Sequence, residues 1–150
     1  MLNPFDLRTL VLAKHAQHVV LIHFPIALYL SATLFDLAGR IFQKRGLSEV
    51  AGWNILAAAA TSLPAAATGL LAWRWALEGQ AIKGILRLHL FFAIAAVAGI
   101  WITWWLRSRV RRRSDQPAEA GILLLEFAVS ILIAVAGHLG GFLSGVNGGP

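Results

Sequence analysis

Four stretches of this chain, at about 18–42, 52–75, 85–107 and 120–144, are almost uninterrupted runs of apolar residues. A hydrocarbon layer ~30 Å thick takes about 20 helical residues to cross, and each run supplies that length. Backbone polar groups find no water inside a bilayer, so a spanning segment must be a helix or part of a closed barrel. The expected fold class is all-α, an integral membrane bundle of four helices. The connectors Gln43-Lys44-Arg45-Gly46 and Glu78-Gly79-Gln80 are short, and the third, Arg107 to Glu119, carries Pro117 at the approach to the last run. Short connectors imply an up-down-up-down bundle. No sequence repeat is evident.

Composition narrows the function classes. The chain is 58% hydrophobic and 13% charged, where a soluble domain carries about 25% charged residues. It has no cysteine, which excludes disulfides, thiolate metal sites and Fe–S clusters. The net charge of +6 would suit nucleic acid, but the basic residues sit at the ends of apolar runs, where they set topology. The expected partner is therefore the lipid bilayer, with no nucleic acid.

Residues 1–17 read as a separate unit. Asn3 can cap a helix, Pro4 suits its first turn and Asp6 its N-terminus. Phe5, Leu7, Leu10, Val11 and Leu12 alternate with Arg8, Lys14 and His15. That is too short and polar to span, and is expected to lie on the membrane as an interfacial amphipathic helix ahead of a transmembrane domain over 18–146. No pattern of a cleaved signal peptide stands at this end.

Lys and Arg set the orientation. Arg40, Lys44, Arg45, Arg107, Arg109, Arg111, Arg112 and Arg113 fall on one side; Arg8, Lys14, Arg74, Lys83 and Arg87 fall on the other. The first and third connectors are expected in the cytoplasm, with both termini outside a bacterial inner membrane. Trp53, Trp101, Trp104 and Trp105 then form an inner aromatic belt, and Trp73 and Trp75 an outer one.

On that topology all the histidines share one depth. His18 and His23 open the first span, His89 opens the third, His138 closes the fourth, and His15 lies just above. Neutral imidazole ligates haem iron, zinc and copper. Haem b needs two axial histidines on facing helices and small residues beside them. The third span offers Ala93, Ala96, Gly99 and Thr103 on the face of His89, although such residues also serve close helix packing. Helices one and three are diagonal in the expected bundle, so His23 and His89 are the leading axial pair, with His18 and His138 as alternates. His18 and His23 lie about 140° apart on a straight helix, so both cannot point inward unless Pro25 bends the path. Asp36 and Glu126 fall at the opposite depth, and Arg40, four residues after Asp36, can pair with it.

The run His18-Val19-Val20-Leu21-Ile22-His23-Phe24-Pro25-Ile26-Ala27-Leu28, with Asp36 downstream, resembles the bacterial membrane family known as domain of unknown function (DUF) 2231. Thr68-Gly69-Leu70-Leu71-Ala72-Trp73, His89 and His138-Leu139-Gly140-Gly141 carry the resemblance through the chain. The family often has an Asp where Ala72 stands here. The resemblance implies a four-helix membrane domain, sometimes joined to cytochrome c or Rieske-type domains, and no established reaction.

Three functions compete. The first is a membrane electron-transfer subunit with haem b near the outer face, exchanging electrons with quinol or a periplasmic redox partner, alone or within a larger respiratory-type complex. The second is a cofactor-free structural or assembly subunit of such a complex. The third is a copper or zinc site made of histidines. A serine nucleophile is not expected, since Ser31 and Ser62 have no activating context.

Overall fold

The computed structural model describes residues 14–75, 78–79, 81–110 and 116–144. It contains four helices: α1 (Lys14–Ile41), α2 (Arg45–Trp75), α3 (Gly84–Val110) and α4 (Gln116–Leu143). Each contains a segment long and apolar enough to cross a membrane. Residues 1–13 of the expected interfacial helix lie outside the described residues; 14–17 form the first turn of α1. α2 begins at Arg45, well before the apolar run at 52, because Ser48 and Glu49 extend the helix past the hydrocarbon.

The helices form an up-down bundle. α1 packs most extensively on α2, and α3 on α4, with thinner seams between α2 and α3 and between α1 and α4. The first turn is tight. Lys44 N donates to Gly39 O at 2.8 Å and Gln43 adopts φ 53°. A Cβ on Gly39 would lie 2.8 Å from Ser48 Oγ, so only glycine lets α2 start this close to α1.

The bundle turns a soluble protein inside out. Phe24, Leu34, Leu63, Phe91, Ile94, Leu124 and Ile131 are exposed, whereas Thr33, Asp36, Ser62, Thr103, Arg107 and Glu126 are buried. An apolar exterior around buried, paired polar groups is the arrangement a bilayer requires. Tyr29 and Thr103 bond across the diagonal at 2.9 Å, and Thr33 bonds Ser130 at 3.2 Å.

The two hairpins repeat one another. Shifted by 71 positions, the spacing that separates Asp36 from Arg107, α1–α2 falls on α3–α4. Most buried positions coincide: Pro25 with Ala96, Tyr29 with Ile100, Ala32 with Thr103, Asp36 with Arg107 and Ala51 with Ile122. Ile55 likewise pairs with Glu126, Ala58 with Val129, Ser62 with Ile133 and Ala65 with Ala136. The molecule is thus a pseudo-two-fold dimer of hairpins about an axis along the bundle, with α1 and α3 equivalent and diagonal. No repeat is evident in the sequence itself. Residues that share a position share burial and rarely identity, so alignment of letters does not reveal it.

Candidate functional site

The histidines of the chain sit at one end of the bundle. His18 and His89 occupy equivalent positions in the two hairpins and make equivalent bonds. His18 Nδ1 lies 3.1 Å from Ala65 O, 47 residues on. His89 Nδ1 lies 2.9 Å from Ala136 O, again 47 residues on. A carbonyl only accepts, so Nδ1 carries the hydrogen in both rings, and in the neutral form Nε2 keeps its lone pair. Thr68 Oγ1 stands 3.4 Å from His18 Nδ1, and its own hydroxyl donates to Pro64 O at 2.9 Å.

A glycine seats each ring. A Cβ on Gly69 would come within 2.9 Å of His18 Cε1, and one on Gly140 within 3.2 Å of His89 Cε1. Gly69 and Gly140 follow Ala65 and Ala136 by one helical turn, so the accepting carbonyl and the bare backbone lie on the same stripe.

His23 and His138 have no such counterpart. α1 runs through Pro25 without interruption, so the wide angle between His18 and His23 persists. His18 is half-buried against α2, and His23 is exposed with its Nδ1 donating to Val19 O of its own helix at 2.6 Å. The repeat sets His23 opposite Ile94, itself 61% exposed. His138 is also exposed and meets Phe142 edge-on, ring centres 5.1 Å apart. His15 lies among residues whose side chains are not described.

The buried residues at the histidine end are small. No described residue of α1 before Pro25, or of α3 before Ala96, is buried. The inward positions at that end are Ala65, Ala72, Ala96 and Ala136. Farther down α3 the expected small-residue face closes on protein. A Cβ on Gly99 would lie 2.5 Å from Val129 Cγ2, and Thr103 is bonded to Tyr29. Gly99 and Thr103 therefore serve helix packing.

The opposite end holds a charged cluster whose centre the sequence concealed. By sequence Arg107 counts among the basic residues that set topology. Instead its side chain is 10% exposed and lies between two carboxylates. Its guanidinium donates to Asp36 Oδ1 at 2.7 Å, Glu126 Oε1 at 2.9 Å and Ser48 O at 2.6 Å. The expected Asp36–Arg40 pair is present at 3.0 Å. Asp36 and Glu126 are 1% and 0% exposed, so both depend on these partners. The signal that would have found Arg107 is its place 71 residues after Asp36.

The family described as predicted membrane protein DUF2231 matches the chain over residues 14–148. The chain belongs to that family. No curated protein and no solved structure matches it. Among the described residues no three His, Asp or Glu side chains gather as a metal site does. Zinc takes three or four protein ligands; an axially ligated haem takes two.

Proposed function

We propose that this DUF2231 protein is a membrane electron-transfer subunit that holds a haem b at its histidine end, with His18 and His89 as the axial pair. One observation carries the reading: two symmetry-equivalent histidines on diagonal helices, each with Nδ1–H bonded to a backbone carbonyl of the neighbouring helix. That bond fixes the tautomer and ring orientation of a metal-binding histidine and leaves Nε2 as the donor. The repeat favours His18 over His23 as the partner of His89. A bis-histidine haem supplies one-electron transfer without an open coordination position.

The chain's own residues do the rest. Gly69 and Gly140 let each imidazole lie against the neighbouring backbone, and Ala65, Ala96 and Ala136 are the small buried side chains nearest that end. Arg74, Lys83 and Arg87, all exposed at this end, give it a positive surface that orients an acidic redox partner. The inner-side basic excess no longer includes Arg107, and rests on Lys44, Arg45, Arg109 and the Arg111–Arg113 run. It still favours a bacterial inner membrane with the histidine end outside.

A second reading has its own support. Both rings already close their hairpins through a hydrogen bond, as a cofactor-free structural or assembly subunit would need. Adding a quinol to the purified protein and following haem absorbance separates the two. Reduction of a bound haem by quinol or by an acidic outer-side donor is the expected result. A haem reduced by neither would end the electron-transfer assignment, and a protein purified with no haem from its intact complex would favour the structural subunit.

A further inference from the structure

The two halves of the histidine site share His18 with His89, Ala65 with Ala136 and Gly69 with Gly140. They depart at Thr68, whose equivalent in α4 is Leu139. Both side chains are half-buried, so the difference lies in chemistry and not in exposure.

Thr68 meets the His18 ring as an acceptor. Its hydroxyl proton is directed at two carbonyls of its own helix, Pro64 O at 2.9 Å and Ala65 O at 3.0 Å. A hydroxyl has one proton and two lone pairs. With the proton spent on α2, Oγ1 presents a lone pair to His18 Nδ1, 3.4 Å away. The Nδ1–H of His18 is therefore shared between Ala65 O at 3.1 Å and Thr68 Oγ1. His89 Nδ1–H donates to Ala136 O at 2.9 Å, and a leucine beside it adds no acceptor. The two rings are equivalent in position and unequal in hydrogen bonding.

From this asymmetry we infer that Thr68 is a positioning residue for His18, holding Nδ1–H from a second direction and raising the electron density at Nε2. A hydrogen bond accepted from the outer nitrogen makes a metal-binding imidazole more basic, and such bonds are one of the levers on haem potential. A more basic ligand favours ferric over ferrous iron. The effect on potential rests on the haem reading; the contact with His18 does not. An ordinary threonine bonded back to its own helix would leave the ring unaffected, and that is the alternative to separate.

Three variants do so in the purified protein. Thr68→Val keeps the shape and removes the acceptor, Thr68→Ser keeps the acceptor, and Leu139→Thr supplies one beside His89. The first readout is the proton–nitrogen NMR signal of His18 Nδ1–H in haem-free protein, identified by its loss in His18→Ala. It should move upfield in T68V and stay in place in T68S. The second is the midpoint potential and the rate of haem loss in haem-loaded protein. T68V should raise the potential and release haem about two- to tenfold faster, the effect of one neutral hydrogen bond. T68S should match the wild type, and L139T should lower the potential. An unmoved Nδ1–H signal in T68V, the same shift in T68S as in T68V, or a haem potential unchanged in T68V would each overturn the proposal. A protein that takes up no haem but shows the T68V signal shift would end the haem reading and uphold Thr68 as the residue that positions His18.

Discussion

Replacing Arg107 by leucine should destabilise the protein by about 3–5 kcal/mol, the usual effect of removing one member of a buried ion pair. The structure shows where that energy arises. Arg107 donates to Asp36 at 2.7 Å and to Glu126 at 2.9 Å. In its absence Asp36 keeps Arg40 at 3.0 Å. Glu126 is 0% exposed and has Arg107 as its one salt-bridge partner among the described residues, so its carboxylate is left uncompensated among helices. A second substitution, Glu126→Leu, removes that orphan. The double variant R107L/E126L should therefore be more stable than R107L alone, with a coupling of about 0.5–3 kcal/mol, the range for contacting residues. Reversible unfolding in mixed detergent micelles, followed by tryptophan fluorescence, measures both. A loss under about 1 kcal/mol for R107L, the value of an exposed ion pair, would refute the reasoning, as would a double variant weaker than the single.

Other consequences follow from close contacts and topology. Gly99→Ala puts a Cβ 2.5 Å from Val129 Cγ2 and should lower stability by about 1–3 kcal/mol; adding Val129→Ala should recover most of it in the same unfolding assay. Gly69→Ala should displace the His18 ring, weakening haem retention in the optical spectrum while the protein stays in the membrane. Cysteine introduced at Glu78 should label from outside intact cells and cysteine at Gln43 should not; the opposite pattern would reverse the orientation.

Hydropathy made the bundle legible because lipid demands length and apolarity from every span, and those are local properties. Which face of a span looks inward is not local. α1 is apolar around much of its circumference, so the angle between His18 and His23 says that one faces away, and only the packing of α2 says which. The partners of Arg107 are not legible for a related reason. A charge at a helix end has the signature of a headgroup anchor, and its burial depends on Asp36 from α1 and Glu126 from α4. The duplication escaped notice because burial, not chemistry, is preserved. Tyr29 answers to Ile100, Ile55 to Glu126 and Asp36 to Arg107, while His18 with His89, Ala65 with Ala136 and Gly69 with Gly140 are among the few identical pairs.

The central claim is that His18 and His89 are an axial pair. It is tested most directly by the reduced-minus-oxidised optical spectrum of the purified wild-type protein beside H18A, H89A and H23A. A low-spin bis-histidine haem b spectrum is expected in the wild type, lost in H18A and in H89A and kept in H23A. Loss in H23A with retention in H18A, or no haem in a wild-type protein purified from its native membrane, would contradict it.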